Sequence, residues 1–129
     1  FGLLDFWKYI LQLKQRYPNQ WISISTHLLV GPNWQSLQIL PADFAKKLEE
    51  VIQFAKDNQT QDTSGFTAHE IQELARALDF MKSPLNEKAE AQANFYRFFH
   101  EHDRRRKTNL PETFPELQDF WNHCATLSK

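Results

Sequence analysis

One segment of this chain is written in a different period from the rest. Residues 21–30 read WISISTHLLV, with Ile22, Ile24, Leu28 and Val30 on one side and Ser23, Ser25 and His27 on the other. Alternation of period two marks a strand with one covered face. After the turn chemistry of Gly31, Pro32 and Asn33, residues 35–40 offer a second short extended piece with Leu37 and Ile39 on one side. Two strands do not make an independently stable sheet unless something covers them. Such a segment must be roofed by helices, or its sheet must continue in residues beyond these 129.

Everything else follows the helical period. Leu4, Trp7 and Leu11, with Phe6, Ile10, Leu13 and Tyr17, predict a helix over 3–17 that is apolar on more than half its circumference and stopped by Pro18. So wide an apolar surface calls for contacts on two sides. From Pro41, a residue suited to a first helical turn, the stripe Phe44, Leu48, Val51, Ile52 and Ala55 makes a second helix. The polar stretch DNQTQDTSG over 57–65 is the natural break. Thr67 with Glu70 has the spacing of a capping box, and Ile71, Leu74, Ala75, Leu78 and Met81 carry the next helix to Lys82. A long helix over 87–106 is expected to bury Phe95, Tyr96, Phe98 and Phe99, and a last helix from Pro115 carries Leu117, Phe120, Trp121 and Cys124 on one stripe. The expected fold is mainly α with one short β element (α+β), a helical bundle packed on one or two strands, or the end of a partial α/β barrel. The expected organisation is a helix–strand–strand–helix segment over 1–58, a polar linker over 59–66 and a helical region over 67–129.

Composition excludes several function classes. Eleven phenylalanines, four tryptophans and three tyrosines are far too much apolar material for a disordered chain. The net charge of −1 sets up no global field for nucleic acid or an anionic membrane. No apolar run approaches a bilayer span. The single cysteine, Cys124, forms no internal disulfide and rules out any site here needing several thiolates. A reducing, cytoplasmic compartment is therefore expected. The opening FGLLD has neither an initiator Met nor the look of a signal peptide, so a fragment or a tag-trimmed product is expected.

The residues that could carry chemistry each have a structural reading. Arg104, Arg105, Arg106 and Lys107 could grip phosphate, but they fall at a helix C-terminus, where cations are favoured by the dipole, and Glu101 and Asp103 offset them. Nucleic acid is accordingly not expected as a partner. His100 and His102 are two residues apart on a helix and point away from each other, so they make a poor start for a metal site with Asp103, His123 and Cys124. His27 sits opposite the Ile/Leu row, and Cys124 lies on an apolar stripe as an inert thiol. Gly2, Gly31 and Gly65 are the whole glycine inventory and build no phosphate-cradling loop.

Two stretches carry a family resemblance. Residues 21–41, WISISTHLLVGPNWQSLQILP, are followed by the helix DFAKKLEEVI. Together they resemble a segment near the C-terminal end of the barrel in radical SAM enzymes of the twitch-domain type. In that family a strand runs into a turn, here Val30-Gly31-Pro32, then a short piece ending in Leu-Pro, here Leu40-Pro41, then a basic amphipathic helix. Residues 103–117, DRRRKTNLPETFPEL, resemble the family's closing signature. Asp103 and Arg106 match its Asp and Arg one turn apart, and Thr113-Phe114-Pro115-Glu116-Leu117 match its TFPEL turn. The resemblance covers most of the chain in the same order of elements. It departs at Lys107, where a small residue is expected, at Leu110, where an aromatic is expected, and in lacking the three-cysteine cluster loop.

The resemblance implies a parent enzyme that generates a radical from S-adenosylmethionine with a [4Fe–4S] cluster, the cluster loop lying upstream of this chain. This chain would be its C-terminal segment, supporting cofactor or substrate binding and inactive alone, with no cofactor of its own. It further implies that the Leu29 and Val30 backbone lies beside the adenine of the cofactor, that Asp103 and Arg106 form a structural ion pair, and that the partner is the remainder of the parent. The rival reading is a non-enzymatic helical module that docks a protein through its Phe- and Trp-rich helices.

Overall fold

A computed structural model of the chain describes residues 2–25, 27–28 and 31–129. They are 69% helical with six α-helices, which carries the mainly-α expectation, and no strand forms among them. The β element is thus a correction. Residues 21–25, 27 and 28 take neither helix nor ladder, while the rest of the predicted strand, Thr26, Leu29 and Val30, lies outside the described residues. The second extended piece is also replaced: Asn33–Gln35 and Leu37–Ile39 are single 3-10 turns. The cause is local. Ser36 Oγ accepts the Gln38 N–H at 3.2 Å, which bends the backbone into a turn. None of the helices is long and apolar enough to cross a membrane.

The chain divides into two compact units, one of Phe1–Leu28 with Ala42–Lys82 and one of Leu29–Pro41 with Ser83–Lys129. The chain passes from one to the other at 28/29, 41/42 and 82/83. The polar 59–66 stretch, expected as a linker, lies inside the first unit because it closes on Phe66. Phe66 is fully buried, with its ring 5.8 Å from that of Trp7 and 5.9 Å from that of Phe54. The Phe66 N–H donates to Asn58 O at 3.0 Å and Thr60 N–H donates to Phe66 O at 3.1 Å. Gly65 is required at this corner, since a Cβ there would stand 2.4 Å from Asn58 O.

The first unit contains α1 (Leu3–Arg16), α2 (Asp43–Asp57) and α3 (Ala68–Lys82). Pro18 ends α1 as expected, and Tyr17 caps it by donating its N–H to Leu13 O. The stripe of α2 buries Ala45, Leu48, Val51, Ile52 and Ala55. Full burial of Val51 alone contributes about 1.5 to 3 kcal/mol. Helix α1 buries Trp7 and Ile10 and leaves Leu3, at its first residue, and Phe6 and Tyr9, on the flank of that stripe, exposed.

In the second unit, α4 (Lys88–Arg106) packs on α6 (Gln118–Leu127), with the single turn α5 (Leu110–Thr113) and a 3-10 turn at Pro115–Leu117 between them. Ile39, Ala91, Phe120 and Cys124 form the buried core, flanked by half-buried Leu85, Phe95, Tyr96 and Leu117. Gln92, itself buried, donates to Ile39 O at 2.7 Å and ties the 3-10 turn to α4. Phe98, expected inside, is 46% exposed, because Phe95 and Phe99 occupy the face toward the core and Phe98 lies beside Trp34 instead.

Candidate functional site

The most unusual chemistry lies beneath residues 22–24, and it begins with a lysine on an apolar face. Trp7, Ile10 and Lys14 follow the i, i+3, i+7 spacing of one buried stripe of α1, and Lys14 is 1% exposed. An ammonium there requires a charge partner and oxygen acceptors. Glu70 supplies the charge: Lys14 Nζ donates to Glu70 Oε1 at 2.9 Å and to Ile22 O at 2.6 Å. The same carboxylate accepts the Ile24 N–H on Oε2 at 3.1 Å and the Thr67 N–H on Oε1 at 3.0 Å, while Glu70 N–H donates to Thr67 Oγ1. The capping box expected at Thr67 and Glu70 is therefore formed, and its acid does a second task. Burial by itself pushes the Glu70 carboxyl up, but the hydrogen bonds from Lys14, Thr67 and Ile24 and the Lys14 charge outweigh it, and its pKa lies below the ordinary value.

This pair fastens the chain at two consecutive alternate positions. Along the segment Trp21, Ser23 and Ser25 are exposed while Ile22 and Ile24 are half-buried, and the alternation continues at exposed His27 and half-buried Leu28. No backbone–backbone hydrogen bond among the described residues involves 21–25, 27 or 28. The segment has the side-chain pattern of a strand and one covered face, with Lys14 and Glu70 standing where a ladder would be. No buried side-chain nitrogen or oxygen among the described residues is left without a partner, and the pair holds the segment as a clamp through Ile22 O and Ile24 N–H. Sequence reasoning identified Glu70 as a cap and missed Lys14. The one available signal was a lysine in register with Trp7 and Ile10.

The other residues singled out from the sequence fall in the second unit, apart from His27 and from Leu29 and Val30, which lie outside the described residues. Asp103 holds the corner after α4: Oδ1 accepts Thr108 Oγ1 at 2.8 Å and Oδ2 accepts the Leu110 N–H at 2.9 Å. Burial pushes this carboxyl up and those bonds, with His102, pull it below its ordinary value. Arg106 is not among its partners. Arg104 and Arg105 both bond Glu101, which their guanidinium groups lower to about 2. His100 stacks on Tyr96, and His123 Nε2 lies 3.3 Å from Gln92 Oε1. Among the described residues no group of three His, Cys, Asp or Glu could hold a metal ion. Burial pushes the Cys124 thiol up to about 12, which leaves it protonated and inert. The TFPEL stretch closes α5 and opens the following 3-10 turn, with Thr113 Oγ1 donating to Asn109 O at 3.0 Å. Comparison with protein-family models, with curated proteins and with solved structures returns no match.

Proposed function

We propose that this chain is the C-terminal segment of a twitch-type radical SAM enzyme, and that residues 21–28 pair with a sheet belonging to the rest of that polypeptide. The observation that carries the reading is the segment clamped by Lys14 and Glu70. It alternates like a strand, keeps one face covered, and has none of its described backbone groups in a ladder. An open backbone edge of this kind is a template for pairing with another strand.

A second observation supports the resemblance at its other end. Lys107, which stands where the family pattern has a small residue, caps α4 in the left-handed region at φ 57. That conformation favours residues without a bulky side chain, so a small residue is the physically natural occupant. This chain cannot hold a [4Fe–4S] cluster, since its one thiol is buried and the cluster needs several. Cluster and radical chemistry would belong to other parts of the parent. The part played by this segment is to complete the fold that encloses the cofactor and substrate.

The reading frame that encodes residue 1 tests this directly. A Cys-x-x-x-Cys-x-x-Cys motif upstream, with a product that binds a cluster after anaerobic reconstitution and reductively cleaves S-adenosylmethionine, is the expected result. A frame with no such motif overturns it. The exposed apolar face of α1, with Leu3, Phe6 and Tyr9, specifically favours the second reading, a non-enzymatic module that docks a protein partner. That reading gains if the chain alone is the natural product and captures one defined protein through α1.

A further inference from the structure

We propose that the groove along α4 binds a short single-stranded nucleic acid, holding phosphates with Arg97, Arg105 and Arg106 and stacking bases on Trp34 and Phe98. The groove has a volume of about 590 Å³ and runs along one helical face, with Trp34 from the 3-10 turn as its wall. Such a volume suits a ligand of one or a few nucleotide units. Three guanidinium groups line it: Arg105 pairs with Glu101, Arg97 bonds Asn94 Oδ1 at 2.9 Å and pairs with Glu90 at 3.8 Å, and Arg106 completes the set, all with exposed side chains. Arg106 has no hydrogen bond or ion pair with any described residue, so a full cation is free at one end.

The spacing fits a strand better than a single small anion. Eight residues separate Arg97 from Arg105, about 12 Å of helix axis at 1.5 Å per residue. That length spans two to four nucleotides, at ~3.4 Å each when stacked and roughly twice that when pulled apart. Between the two arginines lies an aromatic row. Trp34 and Phe98 have centroids 4.4 Å apart with planes inclined at 31°, and His102 follows Phe98 at 6.5 Å and 21°. Phe98 is 46% exposed, so the row it forms with Trp34 and His102 opens to solvent at Phe98. Cations flanking flat aromatic faces match a phosphate backbone carrying bases, because every base has a π face and stacking tolerates sequence. An acidic peptide would satisfy the arginines and leave the aromatic row unused. The neutral balance of the whole chain does not oppose this, since the arginines concentrate locally and Arg97 joins the groove from outside the Arg104 to Lys107 run.

The test is fluorescence anisotropy of the full chain with a fluorescein-labelled oligo(dT) of about 15 nucleotides. Binding is expected to weaken steeply between ~50 and ~200 mM salt. Arg106→Ala, at an exposed side chain with no partner among the described residues, should weaken binding roughly tenfold and reduce the salt slope by about one; Arg97→Ala, which also releases Glu90 and Asn94, should weaken it at least as much. Phe98→Ala should weaken binding roughly tenfold at an unchanged salt slope, the mark of lost stacking. Arg104→Ala, outside the groove, should leave affinity within about twofold. The proposal is overturned if the oligonucleotide does not bind in a salt-dependent manner, or if Arg104→Ala matches Arg106→Ala. It is equally overturned if poly-Glu displaces the oligonucleotide at equal charge concentration, which would make an acidic polypeptide the occupant.

Discussion

Glu70 accepts from Lys14, from Ile24 and from Thr67 while almost entirely shielded from water. Removing one member of such a pair strands the other charge, a far larger effect than losing a surface ion pair. Lys14→Met should therefore lower unfolding stability by about 3 kcal/mol in urea titration. The pair also sets a pH dependence. Because the folded pKa of Glu70 is depressed, its stabilisation is fully present above the ordinary value of about 4.3 and is lost as pH falls through the lower folded value. Unfolding titrations of wild type and Glu70→Gln should converge on acidification and diverge toward neutrality. Cys124 makes the opposite case, a group silenced by burial. Iodoacetamide should label it slowly at neutral pH and completely after unfolding in urea, read by mass spectrometry. Of these features the capping role of Glu70 and the inertness of Cys124 could be read from neighbours in the chain. The Lys14 contact could not, since its partner is 56 residues away and the register of Lys14 with Trp7 and Ile10 does not say which acid it meets.

At the level of elements, periodicity located the five longer helices because each carries an apolar stripe, with physical signals such as Pro18 after α1 and the Thr67 cap before α3, and it missed the single turn α5. It failed where runs are short. Residues 35–40 place Leu37 and Ile39 two apart, a strand spacing over too few residues to fix the period, and the hydroxyl of Ser36 bends the chain into a 3-10 turn instead. It failed again at Phe98, because aromatic residues crowd so much of α4 that the core-facing side cannot be told from sequence. The end of α4 supplies a test. Lys107 bears the strain of a left-handed residue with a full side chain, so Lys107→Gly should raise stability by ~1 kcal/mol, measured as a shift of the urea midpoint at constant slope.

For the whole molecule, the mainly helical class was legible from composition and period, but the division into units was not. Polarity marked 59–66 as the boundary, yet those residues turn inward at Phe66, and the chain instead exchanges units at 28/29, 41/42 and 82/83. If the segment at 21–28 joins a sheet in a longer polypeptide, its amides should exchange with solvent rapidly in this chain, apart from Ile24, whose N–H is given to Glu70. In the longer product the alternate amides of the segment should become protected, as read by hydrogen exchange with mass spectrometry. The lysine beneath that segment has one further consequence, for the order of events at the ribosome. Until residue 70 has left the exit tunnel, docking α1 would sink a bare ammonium into oil, so that helix must wait, partly solvated, for its carboxylate to be synthesised.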